Sequence, residues 1–259
     1  MERILILRER KEFVPELDRT VTAVKARQYF VKDLTRSFHT TFGVIQPDEL
    51  QKQDGSVIRS DQGKEFLIFS AGFIDKYKRL KKLPQTIPLK DIGFVIAETG
   101  VNKESVVLDA GAGSGALAAA LANVVKKVVT FEVRQDFIAN VKENFAALDL
   151  KNVELREKNI YEGFDEKDAD LVTLDLPEPW KAVGAAATAV KIGGFVINYS
   201  PSVPQVMDFI SAVRKDDRLL VVKTVEQIER LWEFEDRRVR PKSISIGHSG
   251  FLTVVRRIQ

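Results

Sequence analysis

The run VVLDAGAGSGAL at residues 106–117 constrains this chain most: a β-branched stretch passes through Asp109 into glycines at 111, 113 and 115, then into small apolar residues of helical type. Glycines at alternate positions let the backbone turn sharply and approach a ligand that a Cβ would exclude. Twenty-one residues after Gly111 the next predicted strand ends at Glu132, where an acidic side chain accepts hydrogen bonds from both hydroxyls of an adenosine ribose. Strand, loop, helix and acidic strand end in one register predict a nucleoside cofactor. A glycine turn that only packs a helix on a sheet would not require Asp109 or Glu132.

Spacing then discriminates among nucleosides. A nicotinamide site uses Gly-x-Gly-x-x-Gly, which points a helix N-terminus at a pyrophosphate. Here the third glycine comes one residue early, and Asp109 stands directly before the turn. A carboxylate there suits a cation. S-adenosylmethionine carries an ammonium and a sulfonium and no phosphate, so Asp109 can pair with its positive end, directly or through water. Ser114 and Ala116, within and just after the loop, join Gly111, Gly113 and Gly115 as candidate cofactor contacts.

The rest of the chain supplies the frame for such a loop. Up to about Phe73, short apolar alternations (ILIL, RQYFV, FGVI, FLIF) are broken by Asp54-Gly55 and Gln62-Gly63, the pattern of a small all-β domain. KYKRLKKLP at 76–84 is a basic connector ended by Pro84. After Lys90 strands alternate with helices. Helices are predicted over Asp91–Thr99, Ser114–Val124, Asp136–Ala147, Trp180–Val190 and Val203–Val213. Strands are predicted over 106–108, Val128–Val133, Val153–Glu157, Asp170–Leu174, Phe195–Tyr199, Leu219–Lys223 and Gly250–Arg256. Each parallel pair needs a crossover, so this is a doubly wound, mostly parallel α/β sheet. The expected organisation is a small β domain over 1–75, a connector over 76–89 and a catalytic α/β domain over 90–259.

Composition removes several chemistries. Cysteine is absent and His39 and His248 are the two histidines, which excludes thiolate catalysis and disulfides and makes a metal centre an unlikely expectation. No apolar run approaches the eighteen or so residues needed to cross a bilayer, and MERILILRER has too short an apolar core for a signal segment; a soluble, cytoplasmic protein is expected. Residues 1–90 hold 18 basic against 12 acidic side chains, and Arg237, Arg238, Arg240, Lys242, Arg256 and Arg257 have no acidic companion from residue 237 onward. Two basic patches flanking a neutral-to-acidic middle suit a polyanion, although a solvated surface gives the same composition.

The second chemical signal is LDLPEPW at residues 174–180, ending the fourth predicted parallel strand. Ligands of open α/β sheets sit outside the carboxyl ends of strands, so Asp175 projects toward the crevice of the glycine loop. The alternative for Asp175 is a helix N-cap. Trp180 packs the loop or flanks a base, with packing favoured.

The Asp-x-Gly-x-Gly-x-Gly pattern resembles the class I methyltransferases over most of residues 90–259. DLPEPW, together with VKDLTRSFHTTFGVI (31–45), GKEFLIF, Gln85 with Lys90-Asp91, and GHSGFL (247–252), resembles the tRNA adenine-58 N1-methyltransferase family over nearly the whole chain. The resemblance implies a homotetramer, S-adenosylmethionine as donor, tRNA as partner and methylation of the T-loop adenine at position 58, with some archaeal members also modifying 57. It implies that Asp175 is catalytic and contacts the cofactor, and that Gln85, Asn159 and Ile160 are further cofactor contacts. Pro88-Leu89 stands where the family usually has Tyr-Pro, and Asn159 stands where it has an acidic residue for the adenine amino group; the Asn159 amide oxygen can still accept that bond. Lys32, Arg36, Lys78, Arg79, Lys81 and Lys82 are candidate RNA contacts, with Trp180, His39 and His248 on the substrate side. Neither histidine is assigned proton transfer, and His248 also suits a subunit interface. The alternatives are another methyltransferase of the same fold, acting on a different RNA site or on adenine N6; a dehydrogenase, disfavoured by the glycine spacing; and a non-catalytic tRNA-binding subunit, which should have lost the glycine loop.

Overall fold

The chain divides into two units, Met1–Arg79 and Leu80–Gln259. The computed structural model describes residues 2–84, 86–235, 238–244 and 246–259, the side chain of Leu17 excepted. In the first unit the alternating segments form an antiparallel four-stranded sheet with the order Arg27–Val31, Arg3–Leu7, Glu65–Ser70, Val57–Arg59. Two hairpins accompany it, Arg10–Val14 with Arg19–Val24 and Phe38–Thr40 with Gly43–Ile45. The inward residues Leu5, Leu7, Val31, Ile45, Leu50, Ile58, Phe66 and Ile68 make its core.

The second unit is built on seven strands: β1 (Val106–Ala110), β2 (Lys127–Glu132), β3 (Val153–Glu157), β4 (Ala169–Leu174), β5 (Val190–Ser200), β6 (Leu219–Glu226) and β7 (Phe251–Arg257). Their order is β3-β2-β1-β4-β5-β7-β6. β1 to β5 pair in parallel, and β7 runs antiparallel to both β5 and β6. The helices are α1 (Leu89–Thr99), α2 (Ala116–Ala122), α3 (Gln135–Ala147), α4 (Val183–Ala189) and α5 (Val203–Val213). All seven residues of α2 are buried; its alanine-rich surface suits a helix enclosed on every side. From β1 the chain winds outward to β2 and β3, then returns to place β4 on the other flank of β1. The crevice at that reversal is where such sheets bind ligands, and the ends of both β1 and β4 open onto it.

Three boundaries differ from the sequence expectation, each for a backbone reason. α2 begins at Ala116 rather than Ser114, because Gly113 (φ 55°) and Gly115 (φ 75°) hold left-handed angles that no right-handed helix contains. The segment expected as one helix over 180–190 is a tight turn, Pro179–Ala182, followed by α4. β5 starts at Val190, well before Phe195, and its pairing with β4 shifts register between Ala169 and Leu171. The extra residues include Gly193 (φ 79°), and such a bulge hides a strand from a period-two reading. A hairpin of Trp232–Glu235 with Arg238–Pro241 was also not foreseen.

Candidate active site

The glycine loop is pinned to the neighbouring strand ends. Gly111 and Ala112 both donate to the Phe131 carbonyl, at 3.1 and 2.9 Å, and Asp175 N–H donates to the Ala110 carbonyl at 2.9 Å. At Gly111 (φ 96°) a Cβ would stand 2.1 Å from the Asp175 carbonyl oxygen; at Gly115 it would stand 2.8 Å from Phe145 Cε1. These glycines let β1, β4 and α3 close on one another.

Three carboxylates gather at this junction. Asp109 is buried behind the loop, where Thr130 Oγ1 and Thr173 Oγ1 each donate to it at 2.7 Å. Burial pushes its pKa up to about 6, against the pull of the two hydroxyls, and Glu132 adds to the rise. Glu132 closes β2 and accepts from the backbone N–H of Gly113, Val133 and Arg134 at 3.1, 2.8 and 3.0 Å. Asp175, just past β4, is pushed up to about 7 by burial and then by the charges of Asp109 and Glu132. Among the described residues no lysine or arginine pairs with any of the three. Asp109 is almost wholly buried, each carboxylate oxygen accepting from one threonine hydroxyl.

A second cluster lies toward the end of β5. Lys90 Nζ donates to Asp91 Oδ1 (2.7 Å), the Gln227 carbonyl (2.8 Å) and Ser249 Oγ (2.6 Å), while Ser249 Oγ donates to Asp91 Oδ2 at 2.8 Å. Burial pushes the Tyr199 phenol up to about 12, with the charges of Asp91 and Asp175 adding to the rise. At Gly250 a Cβ would lie 2.4 Å from Tyr199 Cζ, so the backbone there rests on the phenol. Sequence reasoning gave Tyr199 and Ser249 no role; the position of Tyr199 at a strand end beside β4 was the available signal.

The other expected site residues are spread more widely. Asn159 is exposed after β3, accepts from Tyr161 N–H at 3.2 Å and caps the short turn Ile160–Glu162; Ile160 is buried against the core. Trp180 shares a groove with Asp208, Ser211 and Ala212 on α5. His248 sets Nδ1 2.5 Å from Glu226 Oε1 and Nε2 2.9 Å from the Pro201 carbonyl, and Glu226 above all holds its pKa above the ordinary value. Lys32, Arg36, His39, Lys78 and Arg79 are exposed on the first unit, Lys81 and Lys82 on the second. Arg36 faces Asp33 at 3.4 Å and Arg79 lies 5.5 Å over the Phe30 ring. Gln85, and Arg237 of the C-terminal basic patch, lie outside the described residues. Among the described residues no three side chains group to hold a metal, and no helix is long and apolar enough to cross a membrane.

The strand order with its antiparallel seventh strand, the glycine loop after β1 and the acidic ends of β1, β2 and β4 define a class I methyltransferase. The family model described as tRNA methyltransferase complex GCD14 subunit matches residues 78–250, and the chain belongs to that family. A relative from Methanocaldococcus jannaschii, the tRNA (adenine(57)-N(1)/adenine(58)-N(1))-methyltransferase TrmI, is 32% identical over 90% of this chain and 92% of its own. Among solved structures, an SAM-dependent O-methyltransferase from Thermotoga maritima superposes with a TM-score of 0.80 at 27% identity, covering 99% of this chain and 93% of that one. The tRNA (m1A58) methyltransferase TrmI from Aquifex aeolicus shares the fold at 0.76 and 23% identity, covering 99% and 97%.

Proposed function

We propose that this protein transfers a methyl group from S-adenosylmethionine to N1 of the T-loop adenine of tRNA at position 58; the M. jannaschii relative's name makes position 57 a candidate second acceptor. The observation that carries the reading is the junction of Asp109, Glu132 and Asp175: three carboxylates, two of them pushed to about 6 and about 7, with no cationic side chain to offset them among the described residues. A ligand bearing an ammonium and a sulfonium meets that need, whereas a pyrophosphate would worsen it. The GCD14-family membership and the named activity of the M. jannaschii relative support the acceptor.

S-adenosylmethionine supplies an electrophilic methyl on a sulfonium. Glu132 would receive the ribose hydroxyls, and the glycine loop would admit the donor close to the backbone. Adenine N1 carries a free lone pair, so attack needs no prior proton removal and positioning supplies most of the rate. Asp175 accepts a hydrogen bond from the exocyclic amino group and stabilises the positive charge that grows on the ring. Basic side chains such as Lys32, Lys78 and Arg79 take phosphates and offset the few kcal/mol needed to extrude a stacked base. We also infer a homo-oligomer, a homotetramer by family likeness; the exposed Leu231, Trp232, Phe234 and Val239 on and beside the Trp232–Pro241 hairpin support a protein partner there. A cytoplasmic site of action follows from a tRNA substrate.

Incubation with unmodified tRNA transcript and donor, followed by reverse transcription, tests the reading. Extension stopping at the T-loop adenine is the expected result; methyl incorporation without such a stop rejects N1 as the acceptor atom.

A further inference from the structure

We propose that Asn144 is a positioning residue for the methyl donor, acting by fastening Lys81 to Ser114 of the glycine loop. α3 buries two asparagines one turn apart, Asn140 and Asn144, each 4% exposed. The Asn144 amide is engaged at both ends: Oδ1 accepts from Lys81 N–H at 3.0 Å, and Nδ2 donates to the Lys81 carbonyl at 3.1 Å and to the Ser114 carbonyl at 2.8 Å. Asn140 Nδ2 donates to the same Lys81 carbonyl at 3.1 Å. A second tie lies five residues on, where Thr86 Oγ1 and Ser114 Oγ stand 3.1 Å apart.

The side chain of Asn144 thus stands in for a peptide unit. It pairs with both the N–H and the C=O of Lys81, as a neighbouring strand would, in a stretch that has no strand beside it. Its remaining N–H reaches Ser114, the residue held between Gly113 and Gly115. A buried amide that satisfies three backbone groups fixes their relative positions, because any displacement strands a desolvated donor or acceptor. The apolar residues Ile138, Val141 and Phe145 of α3 are buried on the same helix. The polar device adds geometry. The Asn140 side-chain amide is turned with Nδ2 toward the Lys81 carbonyl.

The inference rests on the reading of the glycine loop as the donor site, and the test separates the two. Donor affinity, kcat and KM for S-adenosylmethionine are measured for the wild-type protein and for Asn144→Ala and Thr86→Val, alongside tryptic cleavage after Lys81 and Lys82 with and without donor. Wild-type protein that binds no donor overturns the donor-site reading itself. With wild-type binding in place, Asn144→Ala raises the donor KM about tenfold while kcat at saturating donor stays within about threefold, a loss of one or two hydrogen bonds' worth of preorganisation. Cleavage after Lys81 and Lys82 accelerates and is suppressed again by saturating donor. Thr86→Val, nearly isosteric and removing only the second tie, moves KM the same way by about threefold and keeps the proposal testable should Asn144→Ala not fold. A lowered melting temperature with donor KM and cleavage unchanged in the folded variants overturns the positioning role.

Discussion

Asp109 and Asp175 hold their protons to about 6 and about 7 in the folded chain, against 3.8 for an unperturbed aspartate. The folded state consequently binds more protons than the unfolded state across that window, so these two groups favour folding below about pH 4 and lose that contribution as the pH rises through 6 to 7. Charge at the site is held against the protein's own stability, a trade common where function needs a buried ion. Asp175→Asn removes the charge while keeping the shape. The melting temperature at pH 8 is expected to rise, while turnover falls by about 10²–10³, the range seen when one electrostatic contact to a transition state is removed. Donor KM is expected to rise as well, because the charge that faces the donor cation is lost, but by less than turnover falls. Thermal melts and steady-state kinetics on one preparation check both halves; a variant of unchanged turnover would remove Asp175 from the mechanism.

Among the elements, the junction of β1 and β4 is held open by the absence of side chains. Gly111→Ala forces a Cβ to 2.1 Å from the Asp175 carbonyl oxygen at a φ of 96°, which combines a steric clash with strain of order 1–3 kcal/mol. The variant is expected to fold with a lowered melting temperature and to lose donor binding by more than tenfold, measurable by calorimetry. β1, β2 and β4 and the carboxylates at their ends were legible in the sequence, because a buried parallel strand is a continuous apolar run and the glycines punctuate it. β5 was legible only over its second half, since Lys191 and the Gly193-Gly194 bulge interrupt the pattern. Ser249 was not legible as a partner of Lys90 and Asp91: its bonds to them span 159 and 158 residues and exist only after β7 has inserted beside β5. The same holds for Lys81 and Asn144, brought together by a side-chain amide that imitates a strand.

At the scale of the molecule, the basic surplus lies in residues 1–90 and the acidic junction in the unit that carries the sheet, a division suited to a polyanionic substrate and a cationic cofactor. The proposed donor pocket at Asp109, Glu132 and Asp175 is marked by acidic side chains with no basic partner among the described residues. Isothermal titration of S-adenosylmethionine into the protein at pH 6.5, repeated in buffers of different ionisation enthalpy, measures that property. A cation entering beside Asp109 and Asp175 lowers both pKa values, so binding is predicted to release roughly one proton and to tighten as the pH rises from 6 to 8. Proton uptake on binding, or a dinucleotide binding where S-adenosylmethionine does not, would contradict the account.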